Sequence, residues 1–543
     1  MSDSEKGYAD SHVEDRTPHP GHGSIGGNLT QQLKTWHANR EDRSILMSIP
    51  PWPTRTRAHD LPSNPFMILR NMSFLSYCSF FTGFLCWFCD GLDYFSVPIT
   101  LSQLIEAFDK EDKDITWVLT VTTLARQVGA IGFGILGDRY GRRWTLGVNM
   151  SLICVFELGS GFAQTYEQFL AIRCVFGMIM GGTWPLAVAT GLETIPIEAR
   201  GFASGIIQQG YTIGNLIAAV LGMSVAQTSP YTWRTLYFFG AGFSCLAAIC
   251  RFALPESEQF KLANQQRKES GVSGKEASKH FWHELVAMVR TNWLRCIWCI
   301  FFCASFCFLA HGSQDMYARY LQKSKGLGPK PSNTIVIISN CGAVAGGIIS
   351  GNMSQYLGRR FAICVSILYT ACWIPLWILP DSFAGLAAGG FFLQSGVQAA
   401  WGIVPVYLSE CSPPAFRSLF MGLFYQFGNM ASGSAGQIEA VAAHDNPLTK
   451  NGKPVLDSKG AVLPDYAKIQ GMFVGIILAI ALVCTILGPE ADNSHFEQSK
   501  VAYMEGAGEM DARELVEHEE KHGATTHVEN VDLEKVRSKS SVY

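Results

Sequence analysis

His311, Asp315 and Arg319 recur at four-residue intervals in LAHGSQDMYARYL (Leu309–Leu321), at the end of a long apolar run. In an α-helix, residues four apart share a face. His311 and Asp315 therefore form one row with Gln314 beside them, and Arg319 continues it a turn further on. Imidazole titrates near neutrality, so a His–Asp pair facing a wet cavity can sense an anion or carry a proton. Arg319 reads more simply as a helix end reaching external water. Arg173, in AIRCVFGMIMGGTW, is a second charge in an apolar setting. A guanidinium stays charged and grips a carboxylate through two parallel hydrogen bonds, so Arg173 could clamp an organic anion. The alternative is an ion pair with Asp90 or Asp93 of CDGLDYF. Those two acids could carry a proton if buried, because burial favours the uncharged carboxyl, or could partner Arg126 or Arg173. Gln426 and Asn429 of YQFGN lie one turn apart and can donate to a carboxylate without adding charge. A helix–helix hydrogen bond is the other reading of that pair.

The composition says what must position these groups. Charged residues are 16% of the 543, against about 25% in ordinary soluble domains. Runs such as FVGIILAIALVCTIL (Phe473–Leu487) and SFLSYCSFFTGFLCWFC (Ser73–Cys89) approach, with their flanks, the roughly 20 residues that cross a bilayer. Twelve such spans start near residues 73, 115, 145, 167, 201, 234, 296, 334, 360, 383, 417 and 468. All 16 cysteines fall within spans or at their ends, so no disulfide framework is available. The CWFC and CIWC pairs read as packing residues. Residues 1–72 are polar with no leading apolar segment, and residues 489–543 are acidic; both read as disordered cytosolic tails.

An internal repeat organises the spans. GILGDRYGRR (Gly134–Arg143) recurs as GNMSQYLGRR (Gly351–Arg360), 217 residues later. The same offset carries Trp184 onto Trp401, Glu193 onto Glu410, Arg200 onto Arg417 and Gln209 onto Gln426. Residues 73–255 and 296–488 are thus two homologous six-helix bundles, joined by a polar linker over 256–295. In that linker, HFWHELVAMVRTNW reads as an amphipathic helix on the inner membrane surface.

Parallel six-helix halves around a central substrate describe the major facilitator architecture, and GILGDRYGRR resembles that family's loop motif between its second and third helices. Small residues such as Gly134 let helices approach closely. Asp138 can pair with a neighbouring helix end, while Arg139, Arg142 and Arg143 stay at the interface with Gly141 before them. In the second copy, Gln355 replaces the aspartate ahead of Gly358, Arg359 and Arg360, which predicts a one-sided charge latch. Glu193 and Glu410, each seven residues before Arg200 or Arg417, read as gating elements at the same end. The short loops holding these arginines are cytosolic by the positive-inside rule, with both termini on that side. Gln209 and Gln426 form a plausible pseudo-symmetric pair across the cavity.

The 311–319 region resembles the signature of the fungal lactate and pyruvate permeases, the Jen-type carboxylate–proton symporters grouped with the sialate–proton symporters. Their pattern is N-x-x-[ST]-H-x-[ST]-Q-D-x-x-x-T. His311, Ser313, Gln314 and Asp315 match it; Cys307, Ala310 and Arg319 depart from it. DITWVLTV, GLETIPIEARGFASGIIQQGYTIGN and YQFGNMASGSAGQIEA are similar to corresponding stretches of those permeases. The resemblance implies substrate contact for Arg173, His311, Ser313, Gln314, Asp315, Gln426 and Asn429. It also implies proton coupling, for which His311, Asp315, Asp90 and Asp93 are the candidates.

The expectation is an all-α membrane protein with twelve transmembrane helices in the plasma membrane, acting as a monomer. It would import small monocarboxylates such as lactate or pyruvate with a proton. Its partners are the organic acid, protons and the lipid bilayer; no cofactor, metal or nucleic acid is called for. Two alternatives stand: dicarboxylates, tricarboxylates or sugar acids carried on the same fold, with Arg319 as an extra anion site, and a non-transporting nutrient sensor. An enzyme is not expected, because no metal cluster, nucleophile elbow or phosphate loop is present.

Overall fold

The structure, a computed structural model, describes residues 70, 72–110, 112–195, 199–256, 274–412, 416–450, 453–455 and 465–489. The two tails and the first part of the linker, about which the sequence makes predictions, lie outside the described residues. The first half contains α1 (Phe74–Ile99), α2 (Leu101–Phe108), α3 (Asp112–Tyr140), α4 (Arg142–Phe162), α5 (Tyr166–Met180), α6 (Thr183–Leu192), α7 (Arg200–Met223), α8 (Val225–Thr228) and α9 (Arg234–Ala253). A linker helix, α10 (Gly274–Thr291), leads into the second half. There follow α11 (Trp293–Gln314), α12 (Tyr317–Lys323), α13 (Pro329–Leu357), α14 (Arg359–Ile378), α15 (Phe383–Cys411), α16 (Arg417–Ser432), α17 (Ala435–Asp445) and α18 (Tyr466–Ile486). Between the last two, β1 (Thr449–Lys450) and β2 (Lys453–Pro454) form a short antiparallel hairpin in the polar loop.

Helices are the natural solution for so apolar a chain, since each satisfies its own backbone without water. Nine stretches among the described residues are long and apolar enough to cross a membrane. With α1, α15 and the broken pair α16–α17 they make twelve, at the places the apolar runs predict. Outward faces carry Phe162, Ile249, Phe301, Leu368 and Val483, all well exposed, and α10 exposes Trp282, Val286 and Val289. A bilayer would cover these apolar faces.

Two seams join the halves. In one, α3 packs on α16; in the other, α7 packs on α13 and α15. Small residues set the second seam. A Cβ on Gly205 would come within 2.6 Å of the Gly347 carbonyl oxygen, and one on Gly351 within 2.7 Å of the Gly201 carbonyl oxygen. The repeated motif also turns on glycine. Gly141 and Gly358 hold φ at 91° and 83°, where a side chain would be strained, and each starts the following helix.

Candidate functional site

Three groups hold most of the buried charges. The first lies between the halves. Arg126, one of the few charges in the apolar run of α3, lies 3.5 Å from Asp90 on α1, with both side chains almost sealed from solvent. The contact is loose: neither Asp90 oxygen accepts a hydrogen bond among the described residues, and Arg126 Nε donates none. The guanidinium instead lies over the Tyr94 ring, 4.9 Å from its centroid, and Nη2 donates to Met180 Sδ at 2.7 Å. Aromatic rings surround it. Trp87 stacks on Tyr211 at 4.9 Å, and Trp184 lies 4.4 Å from Tyr425, which comes from the other half.

From the second half, α16 brings Gln426 and Asn429 to the same place. Gln426 Nε2 donates to the Gly181 carbonyl at 3.4 Å, and Asn429 Nδ2 donates to Gln426 Oε1 at 3.1 Å. His311 faces this group from α11, within electrostatic range of Arg126 and Asn429. Its Nδ1 lies 3.0 Å from Asp315 Oδ2, and the histidine is part-buried while the aspartate is 44% exposed. The predicted His–Asp row is therefore joined by a direct contact, with its open end at Asp315. Ser313 and Gln314 point elsewhere: Gln394 on α15 donates to the Ser313 carbonyl and hydroxyl, both at 3.1 Å, and accepts from Gln314 Nε2 at 3.1 Å. The side chain of Arg319 is outside the described part. Gln209 does not mirror Gln426 in the same space, because it packs against Gly347 in the other seam.

The second group is internal to the first half. Arg173 is held by Glu157 of α4, through Nη1 to Oε2 at 3.1 Å and Nη2 to Oε1 at 3.3 Å. Rings of Phe176 and Tyr237 cover the guanidinium at 4.6 and 4.7 Å. Arg173 is 1% exposed. The partner is thus Glu157, whereas the sequence weighed Asp90 and Asp93. Asp93 is close by, accepting from Ser244 Oγ at 3.2 Å. Sequence alone gives Arg126 only as a partner for those two acids and does not single out Glu157; each is the single Asp, Glu, Lys or Arg within a long apolar run, which is the signal that could find them.

The third group lies at the helix ends that carry the repeated motif. Asp138 accepts from the backbone N–H groups of Ser418 and Leu419, at 3.2 and 2.9 Å, at the start of α16. Its repeat counterpart Gln355 accepts from the Gly201 N–H at 3.2 Å, at the start of α7. The two contacts are pseudo-symmetric, but only the first sets a charge against a helix N-terminus. Glu193 pairs with Arg142 and, at 3.6 Å, with Arg417 across the halves. Glu410 takes Arg359 in a double hydrogen bond at 3.1 and 3.0 Å. The glutamates therefore bond the arginines of the repeated motif, and Glu193 is shared between Arg142 and Arg417. Arg143 donates to the Phe252 carbonyl at 2.6 Å, Arg360 to the Thr485 carbonyl at 3.2 Å, and Arg139 lies over Tyr140. Arg200 is buried at the same end.

Comparisons with known proteins agree with this architecture. Residues 83–437 match the Major Facilitator Superfamily. A carboxylic acid transporter protein homolog of Saccharomyces cerevisiae is 31% identical over 439 residues, covering 79% of this chain and 70% of that one. The cis,cis-muconate transport protein of Acinetobacter baylyi is 23% identical, covering 66% of this chain and 85% of its own length. Among solved structures, a proton:xylose symporter bound to 6-bromo-6-deoxy-D-glucose superposes with a TM-score of 0.60 at 15% identity, over 74% of this chain and 94% of the other. With two repeated bundles, a latch built from the repeated motif and a family match across most of both halves, this chain belongs to the Major Facilitator Superfamily.

Proposed function

We propose that the chain is a proton-coupled importer of small monocarboxylates, such as lactate or pyruvate, in the plasma membrane. The observation that carries this reading is the loose Arg126–Asp90 contact within the first half, facing His311 of the second. A fixed guanidinium surrounded by rings and amides attracts a carboxylate strongly, because charge-assisted bonds gain strength where water is excluded. The arriving carboxylate takes the place of Asp90 at Arg126, while Gln426 and Asn429 donate to its remaining oxygens. The seam then holds two carboxylates against one guanidinium. One proton entering with the substrate restores neutrality, and Asp90, Asp93, His311 and Asp315 are the groups able to hold it there. Release runs in reverse: the proton leaves, Asp90 reclaims Arg126 and the substrate departs. Arg173, held at both terminal nitrogens by Glu157, is assigned to holding the first half together, and the clamp passes to Arg126.

The positive-inside rule supports a cytosolic latch, in which Asp138, Gln355 and Glu193 would close the inner end while Asp315 faces outward. The test is uptake of labelled lactate in cells without their own permeases. Wild type accumulates it and alkalinises the medium, and Arg126→Gln does neither. Unchanged accumulation by Arg126→Gln would remove this reading, and signalling without accumulation in wild type would favour a sensor.

A second cargo is favoured by the rings. Tyr94, Tyr211 and Tyr425 lie about Arg126, with Trp87 against the last two, and flat rings suit a flat, conjugated acid. The muconate transport protein makes a planar dicarboxylate the concrete alternative. Competition of lactate uptake by muconate separates the two.

A further inference from the structure

One buried acid belongs to none of these groups. Glu439 lies on α17, beyond the break in the eleventh span at Gly433–Ser434, and is 0% exposed. Its Oε2 accepts from Gln470 Nε2 of α18 at 3.3 Å. Its Oε1 has no hydrogen-bond partner among the described residues. That free oxygen points at α11: a Cβ on Gly312 would stand 3.0 Å from it and 2.4 Å from the Phe473 ring, so backbone and ring seal the site.

Among the described residues, the groups facing Glu439 supply no cation. From α11 come Gly312 and, one turn of the helix along, Asp315, which acts on Glu439 electrostatically. His311 is engaged with Asp315. From α18 come the neutral Gln470 and Phe473. Lys468, two residues before Gln470, is exposed and on a different face. A bare carboxylate enclosed this way, with a second acid nearby, costs several kcal/mol relative to its neutral form. An intramembrane acid of this kind marks an ion pathway more often than a fold requirement.

We propose that Glu439 is the residue at which the coupling proton enters and is held before the halves rock. The inference rests on the proton-coupled reading above. Protonated, Glu439 stays sealed between α11, α17 and α18. Ionised, it needs water, and so requires those segments to part at the end that Asp315 opens to solvent. The proton arrives from that water through Asp315 and leaves Glu439 as a neutral acid hydrogen-bonded to Gln470.

The test uses the full chain in proteoliposomes with lactate as probe. Glu439→Gln, a permanent mimic of the protonated acid, should keep lactate counterflow within about twofold of wild type. It should lose at least tenfold in accumulation driven by an external acid pulse. Accumulation equal to wild type at every external pH overturns the proposal. If wild-type accumulation survives a protonophore, the symport reading itself fails, which is a separate outcome. Should Glu439→Gln also lose counterflow, wild type decides: a hydrophobic carbodiimide, which attacks buried protonated carboxyls, should label Glu439 more at pH 5.5 than at pH 8. Labelling absent at both values overturns the proposal.

Discussion

Exchanging Arg173 for glutamine separates an arginine that supports the fold from one that binds cargo. In wild type, both terminal nitrogens of Arg173 bond both oxygens of Glu157, with neither side chain exposed beyond 1%. Removing the cation leaves Glu157 ionised and unpaired beside Asp93, and breaking a buried pair in this way costs about 3–5 kcal/mol. For a membrane bundle of ordinary marginal stability, that loss appears first as protein missing from the membrane. The double variant Glu157→Gln/Arg173→Gln removes both charges and leaves two amides able to bond each other. It should regain most of the loss, a coupling that a double-mutant cycle measures directly. The assay is thermal unfolding of the purified variants alongside the KM for lactate. Arg173→Gln should lower stability sharply, and the double variant should restore both stability and a near-native KM. A stable Arg173→Gln with KM raised tenfold or more, unrescued by Glu157→Gln, would refute the assignment and return the clamp to Arg173.

Four further outcomes follow from other parts of the structure. Asp138→Asn removes the charge facing the α16 N-terminus; a loss of about 1 kcal/mol raises opening of the latch end about fivefold. Labelling of a cysteine introduced at Ser354 by an impermeant maleimide reads this, and unchanged labelling contradicts it. Gln355→Asp should act in the opposite sense, since it supplies the missing charge at the α7 N-terminus. Gly351→Val would push a side chain into the Gly201 carbonyl oxygen and the Gly205 Cα, both 2.7 Å from its Cβ; uptake should fall to background while the protein still reaches the membrane. Gly141→Ala, at φ 91°, should lower the unfolding midpoint through strain of about 1 kcal/mol or more, and an unchanged midpoint counts against that reasoning.

The fold was legible because its signals are local. An apolar run is a span wherever it packs, and the offset of 217 residues needs no tertiary information to detect. The latch was half legible. Asp138 and its replacement Gln355 stood out, but that Glu193 would bond Arg142 and Arg417 depends on how three chain segments meet. Side-chain partners inside the bundle were not readable. Arg173 and Glu157 lie 16 residues apart on neighbouring helices, and only the helix register turns them toward each other. The same holds for Arg126, whose weight comes from Asp90, Tyr94 and His311 arriving from two other helices. Glu439 was hidden for another reason: its isolation is a property of its neighbours, and a glutamate in GQIEAV reads as an ordinary helix residue.

The account depends most on the buried Arg126 guanidinium recognising carboxylate anions. Equilibrium binding of labelled lactate to the purified protein measures this without any transport step. Losing a charge-assisted hydrogen bond costs about 1.5–3 kcal/mol, so Arg126→Gln should weaken binding roughly 10- to 150-fold, and uncharged lactamide should fail to compete in wild type. Wild-type affinity in Arg126→Gln, or effective competition by lactamide, would contradict the account.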